Sequence, residues 1–273
     1  GKSRAMSNAN VVYDVKNSKI VNLLNSTVDF VDASTCATFT NSGTSSITGI
    51  PLTVKYLKHE ESFCLSEMEQ YWFGKYMVGS NSEEMPFEQM FMDEKLGKIA
   101  KKLDTIIFQG GNGVDGWLKN ATDGGAVGVT GSSFAVSTAV GNGIVYTLDR
   151  MIDALNSDNL EVPKTIFLSP SNFNKYTRSL RNLNLFHFDP ADITAGEIVM
   201  FGASNVKIVS SIGMPDTKAF LHDMDYCLVG TDINPDEEPI QGKFDFVQDK
   251  YLVRYKVKVG TALASPTSAV IAS

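Results

Sequence analysis

The chain has little of what reactive or secreted proteins are built from. Its three cysteines, Cys36, Cys64 and Cys227, are odd in number and form no C-x-x-C pair, which excludes a disulfide framework and a thiolate zinc site. A reducing, cytoplasmic setting is the default expectation. Three histidines, His59, His187 and His222, stand far apart, with no H-E-x-x-H and no paired metal ligands around them, so each reads as a packing or surface residue. No G-x-S-x-G elbow and no G-x-x-x-x-G-K loop occurs. No apolar run approaches the ~18 to 20 residues that cross a bilayer, and the first residues carry no apolar signal segment. Positive charge is short as well: 24 basic against 31 acidic side chains give a net charge of -7, which weighs against gripping a phosphate backbone.

What remains of possible chemistry is thin. The acidic stretch Asp232 to Pro239 lacks the Asp-x-Asp-x-Asp-Gly order of a calcium loop and reads as a solvated connection. Asp223 and Asp225 follow a strand pattern without partners. Asp104 lies near the apolar face of a long helix, where the expectation is that it accepts hydrogen bonds from the amides of the loop that follows. Asn25-Ser26-Thr27 and Asn120-Ala121-Thr122 match glycosylation acceptors but mean nothing in a cytoplasmic chain. No catalytic residue, cofactor site or metal site is assigned, and the chain is not expected to be an enzyme.

Material for a core is plentiful: 43% of the 273 residues are hydrophobic, enough for one elaborate domain or two smaller ones. The most regular stretch is Pro86 to Phe108. Phe87, Met90, Phe91, Leu96, Ile99, Leu103, Ile106 and Ile107 recur at three- and four-residue steps, predicting a helix roughly 34 Å long. Its first half is acidic and its second half basic, the order that suits the helix dipole, and Glu94 with Lys98 adds a four-residue pair. The loop Gly111-Asn112-Gly113-Val114-Asp115-Gly116 matches G-x-G-x-x-G, but it follows a helix C-terminus, where the partial charge is negative; a turn is expected, not a phosphate cradle.

Other elements follow by pattern. Residues 1–30, rich in Asn, Ser and Lys, read as an arm too poor in apolar groups to fold alone, so it is expected to lie on another surface, its own chain's or a neighbour's. Val28 and Phe30 through Thr40, then Pro51 to Tyr56, suggest the two limbs of a long hairpin around a tip at residues 41–46. Ser66-Glu67-Met68-Glu69 is a capping box opening a short helix. Residues 120–143 are small and turn-prone, a candidate domain boundary. A helix over Ile144 to Leu155, a buried strand at Thr165 to Leu168 and a helix from Ser169-Pro170-Ser171 to about Leu180 follow. Strands are then expected at Ile198 to Phe201, Val206 to Val209, Ala219 to Leu221 and Tyr226 to Val229. Residues 251–259 alternate cleanly, Tyr251, Val253, Tyr255, Val257 and Val259 against Arg254, Lys256 and Lys258. They predict a half-buried strand packed along the long helix, its basic face protecting a sheet edge.

In this order the elements resemble the major capsid protein of tailed double-stranded DNA bacteriophages, a fold shared with encapsulins and the herpesvirus capsid floor. Ile99 to Ile107 with Gly110 to Gly113 and Gly116-Trp117 is similar to that family's spine helix and following loop. Ile166 to Phe173 resembles its axial strand and turn, with Ser169 where Asn is usual. Val206 to Ser211 with Met214-Pro215 and Asp223, then Arg254 to Gly260 and Pro266 to Val270, resemble its later strands and tail.

The resemblance implies an α+β fold: an N-terminal arm at 1–30, an extended β-hairpin loop at 31–62, and a peripheral domain with the spine helix at 63–130 and 240–261. It further implies an axial domain, a central mixed sheet with flanking helices, at 131–239 and 262–273. The implied function is an icosahedral shell, built of pentamers and hexamers of this chain laced by arm and loop, that encloses a DNA genome without reading its sequence. Portal, scaffolding and decoration proteins are implied partners, no membrane is involved, and the implied site is the virion capsid, assembled in the host bacterial cytoplasm. A start at Gly1 would suit removal of a scaffolding segment, as in many members. Some members crosslink through a lysine in the extended loop; Cys36 to Gly49 has none, so that chemistry is not carried over. The same fold allows an encapsulin-type compartment as the alternative, and a nucleotide-binding α/β enzyme is the remote one.

Overall fold

The computed structural model describes residues 3–31, 41–64, 87–139, 141–185, 196–200, 202–232, 240–245, 247–248 and 250–273. The capping-box helix expected from Ser66, His187, Cys36 and most of the acidic loop lie outside them. Along the chain run α1 (Arg4–Asn8), β1 (Asn10–Val12), β2 (Ser18–Val28), β3 (Gly43–Thr53), β4 (Lys55–Phe63) and the long helix α2 (Phe87–Gln109). After these come α3 (Trp117–Asp123), β5 (Val127–Val129), α4 (Gly143–Asp153), α5 (Ser157–Leu160), β6 (Lys164–Leu168) and α6 (Pro170–Asn182). The chain closes with β7 (Glu197–Met200), β8 (Ala203–Ser210), β9 (Ala219–His222), β10 (Cys227–Thr231), β11 (Ile240–Asp245), β12 (Lys250–Leu263) and β13 (Val270–Ala272).

Helix α2 stops where the glycines demand it. Gly110, Asn112 and Gly113 have φ of 84°, 54° and 81°, and Gly111 and Val114 exchange both backbone hydrogen bonds at 2.9 and 3.0 Å, a two-residue turn of the kind Asn-Gly favours. Gly116 has a different reason: a Cβ there would sit 2.3 Å from Gly110 N and 2.5 Å from the Phe108 carbonyl. The loop is thus filled by its own backbone, and the pyrophosphate seat that the remote enzyme alternative needs is closed.

Two sheets are built against the end of α2. The spine sheet is centred on β12: Val259 pairs with Lys55 of β4 on one side and Thr231 of β10 on the other, while Tyr255 pairs with His59 and, across, with Ile240 of β11. Parallel β1 extends it beyond β10. The odd residues Val253, Tyr255, Val257 and Val259 are buried, as the alternation predicts, and Ile99 and Leu103 of α2 pack against their cluster. The second sheet, in the order β5-β13-β9-β6-β8-β7, mixes parallel and antiparallel pairs. Its central strand β6 is buried throughout, so a continuous apolar run is the right pattern for it. Ser169 then caps α6, accepting from Asn172 N at 3.2 Å, with Pro170 in the first turn. Helices α4 and α6 cover this sheet with Ile144, Leu148, Met151, Phe173, Tyr176 and Leu180.

Four expectations are corrected. The first limb of the hairpin is Ser18–Val28, not residues 28–40, and it pairs over its whole length with Gly43–Thr53, so the presumed tip at 43–46 is strand. An arm ending at residue 30 would cut this hairpin in two. The error came from composition: β2 alternates Ile20, Asn22, Leu24, Ser26 and Val28 in a run rich in Asn and Ser, which masks a strand exposed on both faces. Second, residues 3–15 lie on their own chain, one of the two surfaces expected for an arm, and do not lace neighbours as the resemblance implies. Helix α1 packs on α2, and β1 pairs with β10 of its own chain. Third, β10 belongs to the spine sheet, not to the axial set that precedes it, and β5 belongs to the axial sheet although it falls before residue 131. Fourth, β12 is no edge; its basic face needs another account.

Gly116→Ala is expected to lower stability by about 2–4 kcal/mol through this backbone collision, whereas Gly97→Ala, where a Cβ meets nothing within 4 Å in mid-helix, is expected to raise it by up to ~1 kcal/mol. Urea unfolding of the two variants checks the contrast.

Candidate assembly surfaces

Among the described residues no group of three or more His, Cys, Asp or Glu could hold a metal, and no helix is long and apolar enough to cross a membrane. The residues singled out for chemistry are structural where they can be seen. Asp104 is buried, but its partners are not in the glycine loop: it accepts from Ala5 N at 3.0 Å, Arg4 N at 3.3 Å and the Ser3 hydroxyl. One carboxylate of the long helix thus holds the start of α1, and Arg4 Nη1 continues the attachment to the Ser210 carbonyl at 2.8 Å. No local pattern announced this, since Asp104 and Ser3 lie a hundred residues apart.

Asp223 accepts from Asp225 N at 2.9 Å and shapes the turn from β9 to β10. His59 faces Glu61 at the surface. The Cys227 thiol is fully buried, and burial, with Asp223 nearby, pushes its pKa well above the usual range, which makes it inert. Asn120 donates to Thr261 at 3.3 Å, holding α3 to β12.

His222 is the unusual member of this group. It lies fully buried where β9 leaves the axial sheet, Nε2 3.1 Å from the Ala264 carbonyl just past the end of β12. Burial, with the Lys164 ammonium adding to it, lowers its pKa from 6.5 to about 4. The imidazole is therefore neutral in the folded chain.

The surface that could do something is the hairpin. Among the described residues β2 and β3 pair only with each other. One face is seated near its base, with Leu52 buried against Val15, Val54, Leu228 and Ala262, and Val21 and Ile50 partly covered. The other carries Ile20, Leu24, Val28 and Ile47, exposed by 66–79% and brought side by side by the register, with Leu24 opposite Ile47. At the far end Phe30 is 93% exposed. Two strands of 11 residues project about 36 Å. A two-stranded ribbon with one bare apolar face is marginal by itself, and such a patch marks an interaction site. Covering its four side chains would stabilise a contact by about 1–2 kcal/mol each.

No protein-family model and no curated sequence matches the chain. In three dimensions it superposes along its whole length on chains from GTA-particle and phage structures. It matches the capsid of a native GTA particle with a TM-score of 0.66 at 13% identity, covering 100% of this chain and 90% of that one. For the capsid of Myoviridae phage XM1 the values are 0.64, 13%, 100% and 91%, and for a chain of Mycobacterium phage Adephagia 0.62, 14%, 100% and 90%. The chain therefore has the tailed-phage major capsid fold, an α+β architecture.

Because the fold binds neutral His222 and the unfolded chain binds its proton near pH 6.5, stability is complete above pH 6.5. It is lost as pH falls toward about 4, by about 3 kcal/mol. His222→Gln is expected to flatten that segment of the stability profile, measured by urea unfolding between pH 7 and 4. Asp104→Ala, which leaves three donors at α1 unanswered, is expected to cost about 2–4 kcal/mol and to raise hydrogen exchange across residues 3–12 first.

Proposed function

We propose that this chain is the major shell subunit of a tailed bacteriophage head, many copies closing into an icosahedral container for double-stranded DNA. The observation that carries this is the pairing of a rigid two-sheet body with a hairpin whose apolar face its own subunit leaves open. A monomeric protein gains nothing from such a ribbon; a shell subunit uses it to overlap the next copy. The full-length superposition on particle capsids at TM-scores of 0.62–0.66 supports the same conclusion.

On this proposal function lies in closure and symmetry, and no catalytic group is needed. The axial half forms the contacts within pentamers and hexamers, and the hairpin laces neighbours. Lacing by an N-terminal arm is given up, because residues 3–15 are bound to their own subunit. Each copy would bury an obligate interface of order 2,000–5,000 Å². The net charge of -7 lets enclosed DNA lie without tight attachment. Assembly in a host bacterial cytoplasm, with portal, scaffolding and decoration proteins as partners, belongs to the same proposal. The similar structures named above are particle capsids, which favours a phage head over an encapsulin compartment.

Electron microscopy of the purified chain is expected to show closed shells or capsomers; a protein that stays monomeric at every salt and pH would defeat the proposal. Replacing Ile20, Leu24 and Ile47 together by Ser removes apolar groups that are already exposed, so Tm should stay within about 3 °C while shell yield collapses. Light scattering beside thermal unfolding reads both.

A further inference from the structure

The glycine turn after α2 cradles no phosphate, but its Asn-Gly pair has a chemistry of its own. The sequence contains two such pairs, Asn112-Gly113 and Asn142-Gly143. In an Asn-Gly pair the glycine nitrogen can reach the asparagine side-chain carbonyl carbon, because the second residue has no Cβ to block the approach. The five-membered ring closes only when that nitrogen eclipses the asparagine Cβ, at a ψ of about −120°, the value of the first central residue of a type II′ turn. Asn112 and Gly113, with φ of 54° and 81°, are the two central residues of a type I′ turn. Flipping the one peptide plane between them converts type I′ to type II′ and leaves the Gly111–Val114 pair closed. The flipped state is strained for a residue with a Cβ, so it is minor and transient.

The surroundings leave that flip free. Both residues are exposed, a Cβ at Gly113 would meet nothing within 4 Å, and among the described residues neither the Gly113 N–H nor the Asn112 carboxamide makes a hydrogen bond. Asn142 is the opposite case. Its Oδ1 accepts from Thr138 N at 3.2 Å and from Ala139 N at 3.4 Å, and Gly143 is buried at the start of α4, where a Cβ would stand 2.6 Å from Ser137 Oγ. Asp115-Gly116, in the same loop as Asn112, is held as well: Lys119 binds the carboxylate at 2.7 Å, and neighbouring backbone fills the space at Gly116. The fold has locked one Asn-Gly pair and left the other able to react.

We propose that Asn112 is a self-modification site, converting in the folded chain to a mixture of aspartate and isoaspartate. The Gly113 nitrogen gives its proton to solvent base and bonds to Cγ of Asn112; the Cγ–Nδ2 bond breaks and ammonia leaves. Water then opens the succinimide at either carbonyl. Breaking the bond from nitrogen to Cγ restores the chain with an aspartate. Breaking the bond from nitrogen to the main-chain carbonyl carbon leaves the chain running through Cβ and Cγ, one atom longer, with a free α-carboxylate. The longer chain does not fit a turn closed by hydrogen bonds of 2.9 and 3.0 Å, and this turn returns Trp117 to Phe108. Isoaspartate thus loosens the joint between α2 and α3. This chemistry does not depend on shell assembly.

The folded full chain is warmed at mildly alkaline pH in ¹⁸O-labelled water and its peptides are mapped by mass spectrometry, with an isoaspartyl methyltransferase to label isoaspartate. Asn112 should take up solvent ¹⁸O at least about tenfold faster than Asn142, and in urea the two rates should come within about twofold, because only the fold separates them. Aged wild-type protein should lose about 3 °C or more of Tm as isoaspartate accumulates. Asn112→Gly, which suits the same positive φ, should keep its Tm through the same treatment. Fresh Asn112→Asp, which brings the charge without the extra atom, should stay within about 1 °C of fresh wild type. Asn112 that stays intact, or reacts no faster than Asn142 in the folded chain, overturns the proposal. Isoaspartate at position 112 with no change in Tm overturns its link to the joint. Fresh Asn112→Asp as unstable as aged wild type assigns the loss to charge and overturns the longer-chain account.

Discussion

Phe108 is the contact on which the two halves of the molecule depend. At the last turn of α2 its ring meets Trp117 edge-on at 5.1 Å and Phe167 of the axial sheet at 4.9 Å, and Trp117 Nε1 donates to the Leu228 carbonyl in the spine sheet at 3.2 Å. Three fully buried rings therefore tie the long helix, the short helix after the glycine turn and one strand of each sheet at a single place. Edge-to-face aromatic pairs add about 0.5–1.5 kcal/mol each beyond the area they bury, and they fix angles as well as distances. The tight loop from Gly110 to Gly116 exists to bring Trp117 back under Phe108, which is why no side chain can be fitted at Gly116.

Around this fixed point the molecule is held together with unequal effort. Asp104 binds α1, the Asn120–Thr261 bonds hold α3 to β12, and the apolar clusters on both sheets are closed. The hairpin leaves an apolar face to the solvent, with Ile20, Leu24, Val28 and Ile47 exposed. On the proposed shell function, the body would conserve the angle between neighbours and the limb would supply the reason to associate. Asp223 and Asp104 are ionisable groups whose hydrogen bonds fix a turn and a terminus, and His222 and Cys227 are buried.

The long helix was legible because its signal is repeated over six turns, and the strand–Ser169–Pro170–helix corner because capping and proline chemistry act within four residues. The alternation of β12 was legible too, although its place was misjudged: a strand with one basic face looks like an edge, yet β12 lies at the centre with partners on both sides. The hairpin was found and misplaced by a strand. Ile20, Leu24 and Val28 alternate properly, but their partners in the periodicity are Asn and Ser, and a ribbon without a core of its own carries no hydrophobic contrast to mark it.

Local order was thus set by the sequence by itself: where α2 begins its regular face and where glycine stops it, the all-apolar β6, the cap at Ser169, the two-residue period of β12. These depend on neighbours a few positions away, and such neighbours are always present in the string. Only the tertiary structure decided which strands meet: that 18–28 returns to 43–53, that β10 leaves the axial run to join β12, that Asp104 answers the amides of residues 4 and 5. Every half-exposed strand has the same period, so pairing is chosen by shape and burial across distances of a hundred residues or more, where periodicity carries no information.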